Sequence, residues 1–161
     1  SWMSLLLRGL AEKHAHMDVM GRDHVILGRT LVVMAELVEG AARSPHGGTL
    51  HRAMLETLRS TSVAQHPQPY VRRMALFAAL QTLRALPAAA LAGALANTHP
   101  SHSNPDPLLG QLDEVRAWAV RAVENEADDA CRTVAAACVQ RFAALSREAA
   151  DVLESIDYVF K

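Results

Sequence analysis

In 161 residues, Ala (29) and Leu (21) make up nearly a third of the chain, Val and Ile together reach 16, and aromatic residues 4%. Strong helix formers dominate and strand formers are scarce, which predicts an all-α domain with one sizeable core and excludes a sandwich, a barrel or a doubly wound sheet. Charges nearly cancel, 16 basic against 17 acidic for a net −1, so the overall basic excess common in nucleic-acid binders is missing.

The start, Ser1-Trp2-Met3-Ser4-Leu5-Leu6-Leu7-Arg8, is too short an apolar run for a signal peptide, and position 1 is not Met. The sequence therefore reads as a single helical domain cut from a longer protein. A weakly patterned helix is predicted over residues 3–20. Gly21-Arg22-Asp23 breaks it, and Asp23 is placed to cap the next helix, 24–43. There Ile26, Leu27, Leu31, Val33, Met34, Leu37 and Val38 leave only a narrow polar stripe, which predicts burial on more than one side. After the turn Ser44-Pro45-His46-Gly47-Gly48, Thr49 is expected to cap a helix running to about Ser62.

His66-Pro67-Gln68-Pro69 forms a rigid corner, and Pro69 suits the first position of a helix. Residues 69–86 are apolar almost all round, which predicts a central helix with neighbours on both sides. A short Ala-rich helix to about Ala96 precedes a polar, Pro-rich loop at 97–107, the flexible segment of the chain. The amphipathic stretch 108–125 carries Leu108, Leu112, Val115, Ala119, Ala122 and Val123 on one face, with Trp118 at its edge. The last element begins at Asp128-Asp129, where carboxylates favour a helix N-terminus. Its stripe, Cys131, Val134, Ala135, Cys138, Phe142, Leu145, Ala149, Val152, Leu153 and Ile156, stays in phase without Gly or Pro. One long helix is the simplest expectation, with 146–161 as its continuation; a break near Ser146 is the alternative.

Cys131 and Cys138 lie on one face but about 10 Å apart along the axis, too far for a disulfide, and read as small reduced core residues of a cytosolic or nuclear protein. No apolar run is long enough to span a membrane. His14, His16, His99 and His102 invite a metal, but neither pair gathers the three or four converging ligands of a zinc site. Glu124, Glu126, Asp128 and Asp129 read as a helix start rather than a cation site. No nucleophile has a nearby base and orienter, so the sequence predicts neither an enzyme nor a cofactor site.

Val71-Arg72-Arg73-Met74-Ala75 and Cys131-Arg132-Thr133-Val134-Ala135 open two helices in the same phase, 60 residues apart. This pattern resembles the second helix of HEAT repeats, which implies a HEAT-like α-solenoid segment of about six or seven helices. The resemblance also implies a ladder between repeats, an inner-turn Asp meeting an early Arg. Asp128 or Asp129 with Arg132 fits; Gln68 and Tyr70 flank the earlier position, so that rung is imperfect.

A longer set of motifs occurs in order: Leu27-Gly28-Arg29-Thr30-Leu31, then His66-Pro67-Gln68-Pro69-Tyr70-Val71-Arg72-Arg73-Met74-Ala75-Leu76-Phe77. Leu112-Asp113-Glu114-Val115-Arg116-Ala117-Trp118 and Asp128-Asp129-Ala130-Cys131-Arg132 follow. Together they resemble the C-terminal region of the telomere length regulation protein family, also called the clock-abnormal family, over roughly residues 24–145. The resemblance implies a cochaperone scaffold, cytoplasmic and nuclear. It would join other helical-repeat proteins in the triple-T complex and serve the maturation of phosphatidylinositol-3-kinase-related kinases with the Hsp90 machinery. No acidic Ser-rich tract is present, so docking to Hsp90 would be indirect.

The interface or inter-repeat candidates are Tyr70, Arg72, Arg73, Arg116, Trp118, Asp128, Asp129 and Arg132. Arg72 and Arg132 are expected in an internal ion-pair ladder with Asp113, Glu114, Asp128 or Asp129. Arg73 points elsewhere and is the better interface candidate. Trp118 reads either as a core anchor or as an interface hot spot. Telomeric nucleic-acid binding is the alternative function; the near-neutral charge and scarce aromatics argue against it.

Overall fold

The computed structural model describes residues 23–44, 47–98 and 106–159. The helix expected over 3–20, all four histidines of the metal question and the centre of the 97–107 loop lie outside them. The described residues form α1 (Asp23–Ala41), α2 (Gly47–Leu58), α3 (Thr61–Ala64), α4 (Pro69–Ala85), α5 (Ala88–Ala96), α6 (Pro107–Asn125) and α7 (Asp129–Val159). No strand occurs among them, and the all-α expectation holds.

Local chemistry sets the helix starts. Asp106 caps α6 by accepting the Leu108 N–H at 2.9 Å, with Pro107 in the first position. Asp128 caps α7 by accepting the Cys131 N–H at 2.8 Å. At α4, Pro69 opens the helix as expected, but Gln68 makes no side-chain cap; its own N–H donates to His66 Nδ1 at 3.1 Å. Thr49 is not a cap, because α2 already begins at Gly47. Nor does that helix reach Ser62. It ends at Leu58, and a separate turn, α3, starts from the Ser60 carbonyl. That turn carries Val63 into the core.

Two sets of contacts fix the architecture. Cys131 Sγ donates to the Pro69 carbonyl at 3.5 Å, and Cys138 Sγ to the Leu76 carbonyl at 3.3 Å. Both pairs are 62 residues apart, so α4 and α7 lie side by side and parallel. On the other layer, Arg52 pairs with Asp106 at 3.7 Å and Arg59 with Glu114 at 2.9 Å, which makes α2 and α6 parallel too. The described residues thus form two helical hairpins stacked in register, the arrangement of a solenoid. α5 fills the gap against α6 and α7.

α4 sits between α1 and α7. Its Val71, Ala75, Leu76, Ala78, Ala79 and Leu83 are all buried, as expected of a helix with neighbours on both sides. α1 departs from its expectation. Leu27, Leu31, Ala35 and Val38 form one buried face toward α4, while Ile26, Val33 and Leu37 are more than half exposed. They share the opposite face, where only Leu37 borders a cavity that it lines with Leu50, Ala53 and Met54 of α2. α7 is one helix of 31 residues, as predicted. Its last buried residue is Ala149, and beyond Leu153 the side chains are exposed.

Candidate protein-interaction surface

The densest polar chemistry lies at the corner between α6 and α7. Arg72, early in α4, crosses to this corner and forms a two-pronged pair with Glu126: Nε to Oε2 at 2.9 Å and Nη2 to Oε1 at 2.8 Å. Its remaining nitrogen, Nη1, donates to the carbonyls of His66 at 2.7 Å and Pro67 at 2.9 Å. One guanidinium therefore ties the corner before α4 to the corner before α7. Both side chains are more than four-fifths buried, so the pair is shielded from salt more than a surface pair would be. The Arg72 guanidinium holds the Glu126 carboxyl below its ordinary value, against the opposing effect of burial, and the Asp128 N–H adds to the lowering. The same contact raises Arg72.

This pair ties the two hairpins together, but it is not the contact of Asp128 or Asp129 with Arg132 that the repeat pattern implied. Arg72 plays the expected internal role, but its partner is Glu126 and not Asp113, Glu114, Asp128 or Asp129. Glu126 follows the last residue of α6, and its backbone N–H returns to the Ala122 carbonyl. That position aims its carboxylate back along the stack. Arg73 does not point away from the corner either; its Nη2 lies 3.7 Å from Asp128 Oδ2. Asp128 is held low chiefly by the Cys131 N–H that it caps.

Arg132 does not reach across. It pairs with Asp129 one turn away, and Nη1 donates to the Glu126 carbonyl at 3.0 Å. Asp129 is 87% exposed. A local, exposed pair contributes little, so Arg132→Ala is expected to lower stability by less than about 1 kcal/mol; a urea-unfolding loss above that would restore Arg132 to the ladder. Arg116 is exposed on α6 and forms no ion pair with any described residue. Trp118 is buried, with 8% of its surface exposed, and is a core anchor. Tyr70 packs against Gly28 of α1 and meets the His24 ring edge-on at 6.0 Å.

Sequence reasoning missed three contributors. Arg59 closes on Glu114 with both carboxylate oxygens, at 2.9 and 3.0 Å. Arg141 donates from Nε to the Leu83 carbonyl at 3.4 Å, near the C-terminus of α4, where a cation suits the exposed carbonyls. It also pairs with Glu148 at 2.8 Å. Glu126 itself was read only as part of an acidic helix start. None of the three sits in a motif, although Arg59 and Arg141 occupy positions flanking apolar stripes.

Both cysteines are reduced and buried, as expected. Burial pushes each thiol up to about 12. Thiolate is the reactive form, so native protein at pH 8 is expected to resist iodoacetamide at both sites while urea-unfolded protein is alkylated promptly. Mass spectrometry reads the outcome, and equal rates in the two states would contradict the burial.

Among the described residues no three of His, Cys, Asp and Glu gather where they could hold a metal ion. Glu126 and Asp128 do converge, but on arginines. No single described helix is long and apolar enough to cross a membrane.

Between the two layers of corners runs a groove of about 730 Å³, walled by Arg59, His66, Arg72, Glu114 and Arg121 with Trp118 at its floor. The stack, its internal rung and this groove define an all-α protein of stacked helical hairpins. No family model and no solved structure matches the chain. Over 118 residues it is 29% identical to the telomere length regulation protein TEL2 homolog of Homo sapiens and 30% identical to that of Mus musculus. The matched stretch covers 73% of this chain and 12% of each relative's length.

Proposed function

We propose that this chain is a non-enzymatic protein-interaction segment of a telomere length regulation family protein. In this reading it works as part of a cochaperone scaffold, in the cytoplasm and nucleus. It contacts other helical-repeat subunits of the triple-T complex and so serves the maturation of phosphatidylinositol-3-kinase-related kinases, with Hsp90 engaged indirectly. The observation that carries the reading is the 118-residue similarity to TEL2 homologues, laid onto a two-layered helical stack. The Arg72–Glu126 rung supports it, because such a contact keeps neighbouring hairpins in fixed register and leaves the outer faces free for partners.

The test is co-purification of the tagged full-length parent protein under mild salt. Triple-T subunits are expected in the eluate, together with reduced kinase levels when the parent is depleted. An eluate without those subunits overturns the family reading.

A further inference from the structure

We propose that the groove between the α3 corner and α6 binds an acidic, extended peptide segment of a partner protein, through Arg59 and Arg121. The proposal rests on the protein-interaction reading above and names the chemistry of one partner.

Three observations support it. First, the cationic groups in the groove differ in availability. Arg72 is saturated by Glu126 and two backbone carbonyls. Arg59 is held only by Glu114, in an exposed pair with side chains 38% and 57% accessible. Arg121 is exposed and forms no ion pair with a described residue. An incoming carboxylate can replace Glu114 on Arg59 at little cost, because exposed pairs of this kind are weak. It can then take Arg121 with no internal competitor.

Second, the groove already demonstrates the ligand chemistry that it accepts. Both oxygens of the Glu114 carboxylate accept from Arg59 Nη1 alone, a charge-assisted contact that does not engage the full guanidinium fork. Glu114 thus occupies the place of an external carboxylate.

Third, spacing restricts the ligand. Glu114 and Arg121 are seven residues apart on α6, about 10 Å along the helix axis. A polyproline-II segment brings side chains three residues apart onto one face, about 9 Å from each other. An acid-x-x-acid peptide in that conformation matches the two arginines. Nucleic acid fits less well, since Trp118 is buried and offers no face for stacking bases.

Trp118 is a built-in reporter, because the chain has two tryptophans and Trp2→Phe leaves it alone. The full chain with Trp2→Phe is titrated with the acetylated, amidated peptide Pro-Glu-Pro-Pro-Glu-Pro, with its Lys-for-Glu counterpart and with a short oligo-dT. A saturable change in Trp118 fluorescence is expected with the Glu peptide alone. Added salt should weaken it, and Arg121→Glu or Arg59→Glu should weaken it by about tenfold or more at an unchanged melting temperature. Arg121→Gln, which removes charge without reversing it, should give an intermediate loss.

No saturable change, an equal response to the Lys peptide, tighter binding of the oligonucleotide, or full affinity in Arg121→Glu each overturns the proposal. Absent peptide binding with intact co-purification of the parent's partners overturns the groove alone. Absent co-purification with peptide binding retained overturns the family reading and leaves the groove standing.

Discussion

Glu126→Gln is expected to lower stability by about 2–3 kcal/mol. The change keeps the shape of the side chain and removes its charge. Arg72 then stays four-fifths buried with only neutral oxygens, the Gln amide and two carbonyls, to face its charge. Removing one partner of a shielded pair costs more than the pair itself is worth, because the remaining charge loses its compensation. Replacing both ends, Arg72→Met with Glu126→Gln, should therefore cost less than the sum of the single changes. Urea unfolding of the four proteins measures the coupling. A Glu126→Gln loss below about 0.5 kcal/mol would show that the rung contributes no more than a surface pair.

The same contact predicts a pH dependence. Arg72 holds Glu126 below the ordinary carboxyl value of 4.5, so the folded state binds the proton less readily than the unfolded chain. The stabilisation is present in full above that ordinary value and is lost as pH falls through the depressed one. Wild-type protein should lose more stability than Glu126→Gln between neutral pH and acid below 4.5. Parallel curves for the two proteins would contradict the assignment.

The second large effect lies at the crossing of α1 and α4. A Cβ on Gly28 would fall 2.5 Å from Tyr70 Cε1 and 3.0 Å from Met74 Cγ. Two effects oppose each other at this position. Ala or Leu gains about 1 kcal/mol of helix propensity over Gly, whereas overfilling a packed contact costs about 1–3 kcal/mol. For Gly28→Leu the steric effect wins, with an expected loss of about 2 kcal/mol. For Gly28→Ala a smaller loss is expected, since the Tyr70 ring must be displaced from its edge contact with His24. The decisive observation is the sign in a Tyr70→Ala background. With the ring gone, Gly28→Ala should stabilise, because only the propensity gain remains. A Gly28→Ala that stabilises the otherwise unchanged protein would show that Tyr70 yields freely.

Much of the fold was legible from periodicity. The all-round apolar pattern of 69–86 marked α4 as central, and the unbroken stripe from Cys131 to Ile156 marked α7 as one helix. Those signals are local and repeat along the chain, so a single sequence displays them. The outward face of α1 was misread for a related reason. Ile26, Val33 and Leu37 are as apolar as Leu27 and Leu31, and composition cannot say which side of a helix a neighbour covers. Partner choice was less legible still. The sequence marks Arg72 as a ladder residue, yet offers Asp113, Glu114, Asp128 and Asp129 as its acids. The residue that meets it, Glu126, sits just beyond the end of α6, and only the crossing of the two hairpins decides which carboxylate arrives. Arg59 and Arg121 escaped for the same reason, since a groove exists only once two units are stacked.

The placement of α4 has a consequence for how the protein breathes. Among the described helices, α4 carries α1 against one side and α7 against the other. Opening α4 means opening both, so its amides should exchange with solvent only when the whole assembly unfolds. α1 can loosen by itself, at the expense of one surface. In arrays built from nearest-neighbour contacts, local openings start at the edges and stop at the most connected element. Hydrogen exchange should then proceed inward from α1, with the slowest amides along the Ala75–Leu83 stretch. α4 would set the global limit of stability while its neighbour keeps the freedom to rearrange.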